Sequence, residues 1–291
     1  MRWAEGFIAV DWGTTNRRAY RLGPDGRCGD EFEDDRGILS VPNGDFGGAV
    51  AEIRSKLGDR PLLLAGMIGS NRGWIEAPYV AGPAGVDEVA GALVWADEQT
   101  AIVPGVCDPC GSDVMRGEEV QLLGAVADAM VPPDSLVCHP GTHNKWVEVA
   151  GGRIATFRTI MTGELFNLLR EHSVLSDLLA EPAEPGDAFE SGVRDGLAGD
   201  VQGQLFSVRA RVLLGKARRA DAPSYTSGLL IGGDVRIGLE SAATTQIVVM
   251  GRPELTRLYA SAIAIAGRDP VELDGERCFL AGIRQIAERI E

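Results

Sequence analysis

The first place where residue types and spacing suit a reaction is Phe7-Ile8-Ala9-Val10-Asp11-Trp12-Gly13-Thr14-Thr15-Asn16. A short apolar strand delivers a carboxylate, Asp11, to the lip of a glycine-bearing turn, and Arg18 to Leu22 reads as the returning strand. Gly13 permits the backbone a tight turn wants, so that consecutive N–H groups and the Thr14 and Thr15 hydroxyls can face outward as donors. That donor set suits phosphate. Asp11 at the strand end suits a hydrated Mg²⁺ beside the phosphates, since Mg²⁺ keeps several waters and takes one or two carboxylates. A similar layout returns at Ser135-Leu136-Val137-Cys138-His139-Pro140-Gly141-Thr142-His143-Asn144-Lys145. Two further groups stand out. Glu118 and Glu119 sit together where a helix opens: a first-turn position that the helix dipole alone would explain, and that also suits a catalytic base. The stretch Gly66-Met67-Ile68-Gly69-Ser70-Asn71-Arg72-Gly73-Trp74-Ile75-Glu76 is a glycine-punctuated loop after an apolar strand, where open α/β sheets place ligand groups.

Stepping from these groups to the elements that must hold them, Phe46 to Leu57 reads as an amphipathic helix, Pro61 to Gly66 as a buried strand and Thr100 to Gly105 as another. Asp30 to Asp35 reads as an acidic surface stretch. Asp113 to Gln121 is expected to open a helix running to about Met130. Val131-Pro132-Pro133-Asp134 marks a domain boundary, because two prolines break the pattern. The two strand-turn-strand units, about 130 residues apart, predict a duplicated core with halves 1–134 and 135–291, the last helix packing back toward the first half. In the second half Ala155 to Ile160 reads as a strand, Thr162 as the N-cap of a helix to about His172, and Asp187 to Gly203 as a helix extended by Leu205 to Leu214. Tyr225 to Arg236 reads as helix, turn and paired glycines, Gln246 to Gly251 as a strand, and Pro253 to Ala266 and Gly275 to Ile290 as helices.

The chain has 291 residues, 45% hydrophobic and 24% charged, with a net charge of −14. No basic stripe is available to neutralise a nucleic acid. Apolar runs fall short of the roughly 18 residues of a membrane helix. Met1 to Gly6 leads into the first strand without the apolar core of a leader peptide, which predicts a cytoplasmic protein. Five scattered cysteines are expected to be reduced. Cys107-Asp108-Pro109-Cys110 has the spacing of a zinc half-site or redox pair but lacks a second pair. Neither Gly-x4-Gly-Lys-Ser/Thr nor a strand followed by Gly-x-Gly-x-x-Gly occurs, which removes the main signals for P-loop and Rossmann folds.

The first hairpin resembles the nucleotide-binding hairpin of sugar kinases, actin and the Hsp70 chaperones. With Gly66 to Trp74, Val114-Met115-Arg116-Gly117-Glu118-Glu119, Pro140 to Trp146, Met161-Thr162-Gly163-Glu164 and Leu230-Ile231-Gly232-Gly233-Asp234-Val235-Arg236, the chain resembles nearly end to end the 2-dehydro-3-deoxygalactonokinase family. The resemblance implies a two-domain α/β actin-like ATPase (ribonuclease H-like) fold with an interdomain cleft. It implies transfer of the ATP γ-phosphate to the 6-hydroxyl of 2-dehydro-3-deoxy-D-galactonate, with ATP and Mg²⁺ as cofactors. Gly13, Thr14, Thr15, Asn16, Gly141 and Thr142 would cradle phosphates, Gly232 and Gly233 would lie against adenosine, and Asp11 would hold Mg²⁺ through water. Arg18 or Lys145 would neutralise developing charge, and Glu119 or Glu118, with Asp11 as competitor, would serve as base. Ser70, Arg72, Trp74 and Arg116 would bind the sugar acid. His139 and Pro140 stand where the superfamily usually has an aspartate, which leaves a second metal-binding carboxylate to Glu164 or Glu119. Two other readings keep the fold: a kinase of another sugar acid such as the gluconate epimer, and an actin- or Hsp70-like ATPase with a protein partner. An apolar helix face in the second half would suit a homodimer.

Overall fold

A computed structural model describes residues 3, 5–240 and 245–290. Met1, Arg2 and Ala4 of the N-terminal stretch lie outside the described residues. The chain opens with β1 (Phe7–Trp12), β2 (Arg17–Leu22) and β3 (Cys28–Asp34), then α1 (Phe46–Leu57) and β4 (Leu62–Gly66). It continues through β5 (Val80–Ala81), α2 (Val86–Gly91), β6 (Val94–Asp97), β7 (Thr100–Ile102), β8 (Val106–Asp108), β9 (Asp113–Met115) and α3 (Glu118–Ala127). There follow β10 (Ser135–His139), β11 (Asn144–Ala150), β12 (Arg153–Ile160), α4 (Thr162–His172), α5 (Asp187–Leu197), α6 (Val201–Leu213) and α7 (Ala222–Gly238). The last elements are β13 (Gln246–Gly251), α8 (Pro253–Ile265), β14 (Asp269–Asp274) and α9 (Gly275–Ala287).

These elements form two compact units. One comprises Met1–Asp134, Val149–Thr156 and Glu276–Glu291, and the other Ser135–Glu148 and Phe157–Gly275. The sheet of the first runs β3-β2-β1-β4-β7-β6 and that of the second β12-β11-β10-β13-β14. In each, an antiparallel meander is extended by two parallel strands from its first strand, so β3-β2-β1-β4-β7 and β12-β11-β10-β13-β14 are the same arrangement. A duplicated core is therefore present in the topology as well as in the hairpin sequences.

Period-two alternation explains the first core. Ile8, Val10 and Trp12 of β1 and Leu62 and Leu64 of β4 meet Phe46, Val50, Ile53 and Leu57 on one stripe of α1. Asp45 caps α1 by accepting from the Gly48 N–H. On α3, Gly124 lets α9 approach: a Cβ there would lie 2.1 Å from the Cys278 carbonyl, and one at Gly282 would lie 1.8 Å from that of Val120. In the second unit Ile247 and Val249 of β13 pack against Phe189 and Val193 of α5, Val235 of α7 and Ile263 of α8.

Several expectations are corrected. Asp113 to Met115 is strand β9, and α3 starts only at Glu118, after Gly117 turns the chain at φ 108°. Asp30 to Asp34 belongs to edge strand β3, with Phe32 and Asp34 half-buried and the rest exposed, tied to β2 by Arg18–Glu33 and Arg17–Asp34 pairs. The expected helix from Asp187 to Gly203 breaks between α5 and α6, where Gly199 has φ 100°. No turn separates Tyr225 from Arg236: α7 runs straight through Gly232 and Gly233. Among the described residues no helix is long and apolar enough to cross a membrane.

Candidate active site

Parallel pairing of β1 with β4 sets Asp11 opposite Ala65 and Trp12 opposite Gly66, at the C-terminal ends of both strands. Gly66 (φ 92°) is needed there, since its Cβ would lie 2.9 Å from the Trp12 carbonyl and 3.4 Å from Asp11 Oδ1. Gly117 packs on the same spot, its Cβ position 3.3 Å from Gly66 Cα. Beside Asp11 the hairpin turn is held from one side. Gly13 N donates to Asn16 O at 2.9 Å, while the carbonyls of Thr15, Gly13 and Thr14 accept from the N–H groups of Gly37, Ile38 and Leu39. Gly37 permits that approach, as a Cβ would lie 2.3 Å from Thr14 O. With its carbonyls so engaged, the turn leaves N–H groups and the exposed Thr14 side chain to face outward, while the Thr15 hydroxyl donates to Asn16 Oδ1 at 2.8 Å, a donor set suited to an anion.

The loop after β4 is equally constrained. Gly73 fits where a Cβ would lie 2.1 Å from Ile68 O, and Ala77 N donates to Gly69 O at 2.9 Å. Arg116 lies over this loop: Nη2 donates to Ala77 O at 2.7 Å, the guanidinium stacks 4.4 Å from the centre of the Tyr79 ring, and Nη1 abuts Gly69. Its Nε and Nη1 find no partner among the described residues. Both nitrogens are buried, so this planar cation matches a carboxylate only where one enters the space beside Gly69 and Tyr79. Next to it, Glu118 accepts from Arg116 N at 3.1 Å and is half-buried.

In the second unit the turn Gly141-Thr142 packs on the start of α4. Glu164 N donates to Thr142 O at 3.0 Å, and Gly163 fits where a Cβ would lie 2.6 Å from Gly141 O. His143 Nε2 and Glu164 Oε2 are 2.5 Å apart. Beneath the turn, Asp234 of α7 is 2% exposed and accepts from four donors: Asn144 Nδ2 and Trp146 Nε1 at 2.7 Å each, Tyr259 OH at 2.8 Å, and the Thr162 hydroxyl.

A sequence model of the 2-keto-3-deoxy-galactonokinase family matches residues 11–286. The 2-dehydro-3-deoxygalactonokinase of Escherichia coli strain K12 is 37% identical over 290 residues, covering 98% of each chain. A solved structure described as a candidate 2-dehydro-3-deoxygalactonokinase from Sinorhizobium meliloti superposes with a TM-score of 0.91 at 34% identity, over 97% of this chain and 98% of that one. The chain belongs to the 2-keto-3-deoxy-galactonokinase family. Component A of (R)-2-hydroxyglutaryl-CoA dehydratase from Acidaminococcus fermentans, at TM-score 0.54 and 10% identity over 98% of this chain, shares the fold alone. That fold is the actin-like ATPase fold of two α/β units, on which a kinase of this family binds ATP and a sugar acid.

For a kinase of this family, several residues expected at the chemistry are buried or engaged by neighbouring side chains. Glu119 is fully buried; Oε2 accepts from Gly117 N at 2.6 Å while Oε1 has no partner among the described residues. Burial, reinforced by the charge of Glu118, pushes its carboxyl up to about 8, and its full enclosure keeps it from reaching a substrate hydroxyl or a metal ion. Lys145 is the second residue of β11, directly after the second turn, and is 5% exposed. Arg18 stands opposite Asp11 across the β1–β2 pair and is also engaged by Glu33 at 3.1 Å and Glu276 at 3.8 Å. Gly232 and Gly233 face other protein: a Cβ on Gly232 would lie 2.3 Å from Val193 O, and one on Gly233 2.6 Å from Val201 Cγ2. Their bareness serves the packing of α7 on α5 at Gly232 and on α6 at Gly233 rather than an open adenosine surface. Thr162 is the first residue of α4, not its cap, and its hydroxyl serves Asp234. Ser70 Oγ donates to Met67 O at 2.7 Å and accepts from Arg72 N, Arg72 is exposed, and Trp74 is half-buried against the core. Cys107 and Cys110 flank a turn in which Asp108 accepts from the Cys110 and Gly111 N–H groups. No group of three or more His, Cys, Asp or Glu suited to a metal occurs among the described residues. Tyr79, the Gly37 segment and Asp234 were absent from the sequence-based site. Glycines that tolerate no Cβ reveal Tyr79, beside Gly105, and the Gly37 segment, whereas Asp234 is revealed by the four donors that converge on it.

Proposed function

We propose that this protein transfers the γ-phosphoryl group of ATP to the 6-hydroxyl of 2-dehydro-3-deoxy-D-galactonate in the cytoplasm. The observation that carries the reading is the first turn, whose carbonyls are engaged by the Gly37 segment so that N–H groups and the exposed Thr14 side chain stand beside the Asp11 carboxylate. Phosphoryl transfer asks chiefly for positioning and charge stabilisation. Gly13, Thr14, Thr15 and Asn16 hold phosphate in the first unit, and in the second unit the turn at Gly141 and Thr142 is assigned the same kind of ligand. One strand-end carboxylate with space for waters fits Mg²⁺ better than a cage of protein ligands would, so Asp11 is the residue that would hold the ion through water. The ion supplies neutralisation of phosphate charge. Arg116, with Tyr79 stacked beneath it, binds the carboxylate of the sugar acid, and Ser70 and Arg72 contribute from the neighbouring loop. Glu118 orients and deprotonates the acceptor hydroxyl.

ADP release by the purified protein with Mg·ATP tests the reading, measured alone and with either epimer of the sugar acid. Strong stimulation by the galactonate form is expected. Stimulation only by the gluconate epimer would replace the substrate, and turnover independent of any acceptor would replace the reaction with ATP hydrolysis.

A further inference from the structure

We propose that Asp234 is a positioning residue for the second phosphate turn. The inference rests on the reading that Gly141 and Thr142 contact nucleotide phosphate. Asp234 lies on α7, two residues past Gly232, and its four hydrogen bonds run to Asn144, Trp146, Thr162 and Tyr259. Its two oxygens divide the work. Oδ1 accepts from Asn144, the residue that closes the turn, and from Trp146 on the same strand. Oδ2 accepts from Thr162, the first residue of α4, and from Tyr259 of α8. One buried carboxylate thus fixes the descending strand of the turn and the helix start against which the turn packs. Between these anchors Gly163 leaves no room beside Gly141 O, and Glu164 N holds Thr142 O. A carboxylate taking four donors has no spare acceptor, so losing any one anchor leaves a buried group without its partner.

The two oxygens also differ in what they require. Asn144 Nδ2 and Trp146 Nε1 are obligate donors, whereas the Thr162 and Tyr259 hydroxyls can turn to accept. Asp234→Asn therefore retains a complete set of hydrogen bonds, with its amide oxygen toward Asn144 and Trp146 and its NH₂ toward the hydroxyls. Asp234→Ala retains none.

The test compares Thr162→Val with Tyr259→Phe in the full-length protein. Each removes one hydrogen bond to the same oxygen, but only Thr162 belongs to the segment that supports the turn. Steady-state KM for ATP and for the sugar acid, the Kd of Mg·ADP by calorimetry, and Tm are read for each. Thr162→Val should raise KM for ATP and Kd for ADP about tenfold, the size of one hydrogen bond, with KM for the sugar acid unchanged. Tyr259→Phe should lower Tm and leave both nucleotide constants within about twofold. Asp234→Asn should bind nucleotide nearly as the parent does and Asp234→Ala should not; if the alanine variant does not fold, the threonine and tyrosine pair decides. Equal losses of Tm with unchanged nucleotide constants in both members of that pair would overturn the proposal. Thr142→Val separates the underlying reading. If it weakens nucleotide binding while Thr162→Val does not, the proposal alone falls; if neither does, the second turn does not hold phosphate and the proposal falls with that reading.

Discussion

Three carboxylates close together in the sequence or the fold, Asp11, Glu118 and Glu119, have different environments, and those environments separate their chemistry. Asp11 stands half-buried at a strand end, Glu118 half-buried at a helix start, and Glu119 fully enclosed with a carboxyl pushed up to about 8 by burial. Asp11→Asn should lower kcat at least about 10²-fold, and Glu118→Gln between about 10²- and 10⁴-fold, the range for a general base. Glu119→Gln, which replaces a protonated carboxyl by a neutral group of the same shape, should stay within about threefold in kcat. Steady-state rates with saturating Mg·ATP check all three, and a Glu118→Gln enzyme within tenfold of the parent would leave Asp11 as the reacting carboxylate. Glu119 also sets a pH dependence of stability. An unfolded Glu titrates near 4.5 and the folded one near 8, so between those values the folded chain holds a proton that the unfolded chain has lost. Stability from this group is therefore greatest below about pH 4.5 and declines as pH rises toward about 8, by an amount on the order of a few kcal/mol. The Glu119→Gln variant lacks that decline, so the difference in its favour should widen from pH 5 to pH 8 in thermal unfolding. A constant difference across that range would mean that Glu119 is ionised in the fold.

At the scale of elements, the glycines of α5 and α7 carry the packing of the second unit. Cβ atoms at Gly192, Gly228 and Gly232 would each lie 2.1–2.3 Å from a backbone carbonyl of the facing helix. Gly232→Ala should therefore destabilise by about 1–3 kcal/mol through overpacking, despite alanine's better helix propensity. Gly91→Ala at the end of α2, where nothing lies within 4 Å, should change stability by less than about 0.5 kcal/mol. Denaturant midpoints of the two variants decide, and equal effects would mean that α5 moves away at no cost. The same glycines show what a sequence can and cannot disclose. β1, β4, β13, α1 and α8 were readable because apolar residues repeat with the period of a single element. Gly232-Gly233 reads locally as a stop, and only α5 pressed against it makes a continuous helix the better solution. Thr162 is likewise a plausible cap by propensity, overruled by a carboxylate 72 residues away. Asp11 and its turn were legible, since their chemistry lies within a dozen residues. The burial of Glu119 was not, because it depends on neighbours distant in sequence, including α9 laid on α3 through Gly124 and Gly282.

For the molecule as a whole, a net charge of −14 works against its own chemistry, since in the proposed reaction both ATP and the sugar acid arrive as anions. Local donors act over a few ångströms: the N–H groups of the first turn and the unpartnered guanidinium nitrogens of Arg116. The surplus of carboxylates acts over the longer range that governs encounter, and salt reaches the two differently. Raising ionic strength from about 0.01 M to 0.15 M shortens the screening length from about 30 Å to about 8 Å, which removes the distant repulsion while largely sparing contacts inside a half-buried site. The value of kcat/KM for the sugar acid should therefore rise with salt over this interval, by roughly two- to fivefold, at fixed free Mg²⁺ and saturating ATP, with kcat nearly constant. Stopped assays across a series of chloride concentrations measure it directly. A fall over the same interval would mean that cations around the site dominate the approach of substrate, and the field of the whole chain would then be irrelevant to its rate.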